Sequence, residues 1–258
     1  MSLTPYDWNQ SIQTRTEYIE ERLRDGSPVV ALSIPEGVLL ASIHGAQRKL
    51  YEIYDRLAFG AIGNQSDIET MRNAALDFAH REGFQRSPDD VTAQRLVGSI
   101  LAPALKKAFG DPFTAPFVFR GLFAEVAETP EQDAYFTLGF DGEFKNETRF
   151  SVVGGSFEAE NAVIDLIHGS LHQAQDLTSA IRLALEAWAT AKIYARKTHL
   201  ARNEEEEEVE IRSVAETLKA EVGAGTVEVA LLERKTPRES KFRLLRAEEL
   251  GPALTEYR

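Results

Sequence analysis

The sequence predicts an α+β fold in which antiparallel sheets carry helices on their outer faces. Three observations lead there. The 258-residue chain is 43% hydrophobic, enough to bury a sizeable core in one large domain or two small ones. Its short apolar runs arrive in hairpin-linked groups. Its helical patterns arrive in pairs between those groups, not alternating singly with strands as a doubly wound parallel sheet requires.

The spacing predicts a first helix from about Asp7 to Arg24, with Ile12, Ile19 and Leu23 on one face and Pro5 suited to a helix start. Gly26 and Pro28 close it. Its apolar stripe is thin, so most of this helix is expected to face water or a partner. Two strands follow, Val29–Ile34 and Val38–Ala41, joined at Pro35-Glu36-Gly37. Leu50–Ile53 and Leu57–Ile62 form the next pair, turning at Tyr54-Asp55-Arg56. Ser66 or Asp67 can cap a helix whose apolar positions are Ile68, Met71, Ala75 and Phe78. A second cap-like start at Ser87 opens a helix with Val91, Leu96, Ile100 and Leu105 on its stripe, ending at Gly110.

Strands return at 117–127, 134–144 and 149–155, with Asp141-Gly142 as a hairpin signal. A helical pair occupies roughly 157–201. The segments "TVEVALLER" and "KFRLLRAEEL" read as a last hairpin and a short C-terminal helix.

Charge and composition exclude several functions. The formal net charge of −12 lacks the basic footprint of a nucleic-acid binder. With no cysteine, disulfides, thiolate metal sites and cysteine nucleophiles are excluded. No run approaches the roughly 18 apolar residues of a membrane span. The first 25 residues carry Asp7, Glu17, Glu20, Glu21 and Asp25, unlike a signal peptide. A cytoplasmic protein is expected.

Ser27 opens the first hairpin, where one class of hydrolases keeps a nucleophile whose own α-amine is the base. Here Met1–Gly26 precede it. The five consecutive glutamates Glu204–Glu208 repel one another and read as a solvated acidic loop over 203–210. His168 and His172 have a zinc-compatible spacing, but Gly169, Ser170 and Leu171 between them supply no glutamate base, so a surface pair is expected. Gly154-Gly155 lacks the spacing and lysine of a phosphate loop and reads as a tight strand-to-helix turn. Neither a metal nor a cofactor is expected. Lys49, at the mouth of the third strand, reads locally as an exposed strand-end charge.

The ordered set "TRTEYIEERLRDGSPVVALSIPEGVLLAS", "RKLYEIYDRLAFGAIG", "REGFQRSPDDVTAQRL", "FDGEF…FSVVGG" and "TVEVALLER…FRLLRAEELGPAL" resembles the proteasome α-subunit family, and among these the bacterial, actinobacterial-type 20S subunits. The resemblance runs from about residue 6 to 254. It implies the four-layer α-β-β-α sandwich of the N-terminal-nucleophile hydrolases. The whole chain, 1–258, would be one α-type domain with a gate segment at 1–8, an N-terminal helix at 9–25 and the acidic loop at 203–210.

The family likeness also implies a non-catalytic role. In catalytic β relatives an N-terminal threonine stands where Ser27 aligns. Here Pro28 follows Ser27, and "LLASIHG" offers no aspartate to tune it. Catalysis would belong to separate proteasome β subunits. This chain would form a seven-membered outer ring that templates assembly, admits unfolded protein substrate and docks a ring-forming ATPase activator. Lys49, Glu17 and Gly26 match positions of the family's activator pocket. Leu3, Thr4, Pro5, Tyr6 and Asp7 would line the gate. Two other readings are a hydrolase whose Ser27 is exposed by processing, and a non-proteolytic ring scaffold of the same fold.

Overall fold

The computed structural model describes residues 5–202 and 213–257, with the side chains of 5–7 and 198–202 excepted. Leu3, Thr4 and the acidic 203–210 segment lie outside the described residues. Helix α1 (Pro5–Arg24) is followed by β1 (Val29–Ile34), β2 (Gly37–His44), β3 (Leu50–Tyr54), β4 (Leu57–Gly63) and α2 (Gln65–Gln85). Then come α3 (Ala93–Leu96), α4 (Ala102–Gly110), β5 (Phe119–Glu125), β6 (Ala134–Leu138), β7 (Phe144–Glu147) and β8 (Phe150–Val153). The chain ends with α5 (Phe157–Ser170), α6 (Leu177–Arg202), α7 (Val214–Ala224), β9 (Thr226–Glu233), β10 (Phe242–Leu244) and α8 (Ala247–Leu254).

The strands make two five-stranded antiparallel sheets, ordered β10-β9-β2-β1-β8 and β3-β4-β5-β6-β7. They pack face to face with helices outside, giving the α-β-β-α sandwich. Strand β1 shows why. It is buried along its whole length. Val30, Leu32 and Ile34 meet α5 and α6 on one face, while Val29 and Ala31 meet the other sheet. Successive side chains point to opposite faces, so a strand covered on both sides reads as a continuous apolar run. Helices α2, α3 and α4 cover the second sheet through Met71, Phe78, Leu96 and Leu105.

Helix α1 belongs to neither helical layer. Its Ile19 and Leu23 are buried among Val29, Ile62, Val118 and Leu122 at one end of the inter-sheet core. The apolar stripe is therefore covered largely by its own chain, whereas Glu17 and Tyr18 face outward. Arg15 secures the helix by donating to the Thr114 carbonyl.

Several local details differ from expectation. Asn64, not Ser66 or Asp67, is the N-cap of α2, and the Asp67 carboxylate instead accepts the Val118 N–H at 2.9 Å. Ser87 caps only a short 3₁₀ turn, Pro88–Asp90, and Thr92 caps α3. A π-helical turn at Val97–Leu101 then shifts the register, so Val97 and Leu101 take core positions while Ile100 is half-buried. The expected 134–144 strand is broken into β6 and the start of β7 by the Asp141-Gly142 hairpin, where Gly142 has φ 81°. Helix α7 was not foreseen. Its Ser213 and Glu216 form a reciprocal capping box.

Because Ile19 and Leu23 fill the protein's own core, Ile19→Ala and Leu23→Ala should each lower unfolding stability by about 2–5 kcal/mol. Urea denaturation checks this. A loss near zero would mean α1 is not part of the folded core.

Candidate functional site

The link between α1 and β1 is held from above by one face of α6. The Trp188 indole N–H donates to Ser27 Oγ at 3.0 Å. One turn later, Lys192 Nζ donates to the Asp25 carbonyl at 2.8 Å. Gly26 lies between the two clasped residues. Its N–H closes onto the Leu23 carbonyl at 2.8 Å, and a Cβ there would stand 2.8 Å from that same oxygen and 3.0 Å from Ile62 Cβ. Only glycine lets α1 turn this tightly against β4.

The Ser27 hydroxyl is fully engaged. It donates to the Ile43 carbonyl, lies 3.3 Å from Ser42 Oγ and accepts the indole N–H. Ser42 in turn donates to the Pro28 carbonyl at 2.7 Å. None of these partners is a base, and the Ser27 nitrogen is an internal amide. A hydroxyl nucleophile needs a group to take its proton.

Below the same link, Glu228 of β9 organises the start of β3. This carboxylate is 6% exposed. It accepts the Lys49 and Leu50 backbone N–H groups at 2.8 and 3.3 Å and the Arg48 guanidinium at 3.0 Å, with His44 Nε2 at 3.7 Å. One acid of the first sheet thus pins the first residues of the second.

The pinned backbone presents a half-buried Lys49 side chain, whose ammonium has no hydrogen bond or ion pair among the described residues. Burial pushes its pKa down from the usual lysine value, the nearby Lys192 charge adds to this, and Glu228 opposes it. Burial pushes Lys192 down as well, against the pull of Glu221. Lys192 thus faces the Asp25–Ser27 link as a partly desolvated cation.

The structure places Gly26 between the residues that Lys192 and Trp188 clasp, and Lys49 at the backbone that Glu228 pins. It does not bring Glu17 there within the protomer: Glu17 is exposed and accepts from Gln13 at 2.8 Å. Pro5, Tyr6 and Asp7 form the first turn of α1. His168 packs edge-on against Phe150, with ring centroids 5.0 Å apart. Gly155 lets α5 begin against the end of α1, since a Cβ would stand 2.2 Å from the Arg24 carbonyl oxygen. Trp188, Lys192 and Glu228 were missed as site residues. Glu228 alone left a trace, as the one charge within the apolar run "TVEVALL".

No family model matches the sequence. It is, however, 34% identical over 188 residues to a proteasome subunit alpha of Paenarthrobacter aurescens, covering 71% of this chain and 77% of that protein. It is 30% identical over 249 residues to the proteasome subunit alpha of Actinosynnema mirum, covering 96% and 85% of the two chains. The chain belongs to the proteasome alpha-subunit family.

For an alpha subunit, the sandwich is the N-terminal-nucleophile type of fold, and protein degradation by the proteasome is the process it serves. A proteasome subunit alpha of Thermobifida fusca matches along nearly the same length, at 29% identity over 96% of this chain and 88% of that protein. No described helix is long and apolar enough to cross a membrane.

Glu228→Ala should orphan two amides and lower stability by about 1–3 kcal/mol. Hydrogen exchange checks the cause: protection should fall first at Lys49 and Leu50. Unchanged protection there would show that Glu228 does not hold the start of β3.

Proposed function

We propose that this alpha subunit is the non-catalytic outer-ring component of a bacterial 20S proteasome core particle in the cytoplasm. Seven copies form the ring, which templates assembly with β subunits, restricts access to their proteolytic chamber and receives a ring-forming ATPase activator. The observation that carries the non-catalytic reading is the engagement of Ser27: its hydroxyl is bonded to Trp188 and Ile43, its nitrogen is an internal amide, and no base is among its partners. Catalysis then falls to the β subunits. Ser27→Ala should leave peptide hydrolysis by the assembled α/β particle unchanged, and intact mass should show no cleavage before Ser27. Loss of hydrolysis together with a product beginning at Ser27 would establish the processed hydrolase instead.

In this reading Lys49 receives the C-terminal carboxylate of an activator tail, with Gly26 beside it and Glu17 on the approach. An ammonium without a hydrogen bond or ion pair among the described residues, on a pinned backbone, supports that role. A charge-assisted contact of this kind contributes about 1.5–3 kcal/mol, roughly ten- to a hundred-fold in affinity. Lys49→Ala should weaken activator docking by that factor and leave ring assembly and small-peptide cleavage intact. The control must leave the Arg48–Glu228 pair beside Lys49 intact. Lys235, exposed beyond the other end of β9, meets that condition. Equal docking by Lys49→Ala and the parent would remove the pocket.

The residues before the buried part of α1 serve as the gate, Leu3, Thr4, Pro5, Tyr6 and Asp7 among them. Deleting residues 1–7 should raise degradation of an unfolded protein by the α/β particle far more than cleavage of short peptides. The deletion spares Ile19 and Leu23, so the fold should persist. Equal rates on both substrates would show that these residues do not restrict access.

A further inference from the structure

Phe84, at the end of α2, is 92% exposed. The helix end that carries it is firmly held. Next to it, Gly83 packs so closely that a Cβ would stand 2.2 Å from the Tyr54 hydroxyl. On the other side, the buried Glu82 pairs with Arg86 at 3.2 Å and with Arg95. The clamped end presents Phe84 to solvent with the exposed Arg81 and Arg86 around it.

A groove of about 510 Å³ lies at the opposite edge of the same sheet. Tyr54 beside the knob belongs to β3, and Phe144 of the groove belongs to β7, the two edge strands of the second sheet. Four strand spacings, roughly 19 Å, separate such edges. Ile12 of α1 lines the groove with Phe109, Phe140, Phe144 and Phe157. Its two bases are engaged by the chain itself: Arg120 pairs with Glu160 at 3.0 Å, and Lys145 lies 4.7 Å over the Phe157 ring. Glu20, Asp141 and Glu143 also line it. A cluster of rings accepts a further ring edge-on or offset, and acids around it suit an entrant flanked by arginines. Phe84 with Arg81 and Arg86 is such an entrant.

The knob and the groove lie at opposite edges, so they cannot meet within one copy, and one partner cannot fill both at once. Joining them makes a head-to-tail contact that repeats from copy to copy and closes when the rotation allows. We propose that the Phe84 knob of one copy seats in the Phe109–Phe157 groove of the next, as the subunit–subunit contact of the ring. This names the surfaces behind the seven-copy reading and rests on it. Phe113, 91% exposed, stands on the groove's own side, because it follows the α4 end that carries Phe109 and its loop is tied to α1 by Arg15.

The chain has no cysteine, so introduced thiols report the contact directly. The test uses the full chain assembled with β subunits and mild oxidation, read on non-reducing gels. Phe84→Cys and Phe157→Cys should each give no covalent product alone. Mixed before assembly, the two single variants should give covalent pairs and nothing longer. The doubly substituted chain should give a ladder of covalent oligomers, since a disulfide needs Cα atoms within about 7 Å and cannot form inside one copy. Pairs from Phe84→Cys alone, or only pairs from the double variant, would show a two-fold contact and overturn the head-to-tail one.

Phe84→Glu and Phe157→Glu change exposed side chains, so the fold should hold. Each alone should lower the ring population at least ten-fold in native mass spectra. Mixed, they should give one-to-one pairs, because each supplies the half that the other lacks. Undiminished rings in either variant, or loss in both with no pairs in the mixture, would overturn the assignment of these two surfaces to each other. A parent chain that forms no ring with β subunits present would instead remove the ring reading itself.

Discussion

The arrangement depends on one constraint: the first sheet is covered on both faces. Strand β1 and nearly all of β2 have no solvent side, with Val30 and Leu32 against α6 and Val29 and Ala31 against the other sheet. Each such side chain adds about 1.5–3 kcal/mol when fully buried. Together they leave no latitude for register, since a one-residue slip would exchange the two sets of side chains between two differently shaped cores. The pairings Val30–Ala41 and Leu32–Leu39 follow from that. So does the placement of α1, whose Ile19 and Leu23 close an end of the inter-sheet layer that would otherwise expose Val29 and Ile62.

Apolar packing sets distance but gives little direction, and β9 supplies the direction at both of its ends. Near its start, Glu228 reaches the other sheet at Lys49 and Leu50. Just past its end, Arg234 forms a buried bidentate pair with Asp133 at 2.8 Å and also donates to the Ile34 and Ala127 carbonyls. Buried ion pairs contribute little net stability once desolvation is counted, but removing one partner is costly. Their effect here is geometric: the two sheets are tied at opposite ends by one strand. The Lys49 backbone takes its position from the first of these ties.

This explains what the sequence could reveal. Strands covered on both faces read as apolar runs, so β1 and β4 were legible almost to their ends. Asp141-Gly142 was legible because a positive φ selects glycine. The start of α3 was not, because Ser87 and Thr92 both act as caps five residues apart and only the intervening 3₁₀ turn separates their roles. Helix α7 opens on a Ser213-x-x-Glu216 capping box whose signal stands close behind the glutamate run in the sequence. The site was harder. Trp188 meets Ser27 across 161 residues, and Lys192 meets Asp25 across 167. No local pattern encodes a contact of that separation. Lys49 and Gly26 emerged only through likeness to the alpha-subunit family.

The lysines near these ties are held differently from surface charges. An exposed lysine is solvated and screened by salt. Lys49 and Lys192 are each half-buried, and the acids that act on them are committed elsewhere, Glu228 to backbone amides and Arg48, and Glu221 to Arg196. Burial therefore pulls both below the usual lysine value. For Lys192 the Asp25 carbonyl offsets part of that cost, so the clasp on the α1–β1 link is a hydrogen bond from a charged donor and not a salt bridge. The consequence is geometric: α6 holds the turn at Gly26 through a carbonyl and a hydroxyl, neither of which titrates near neutral pH.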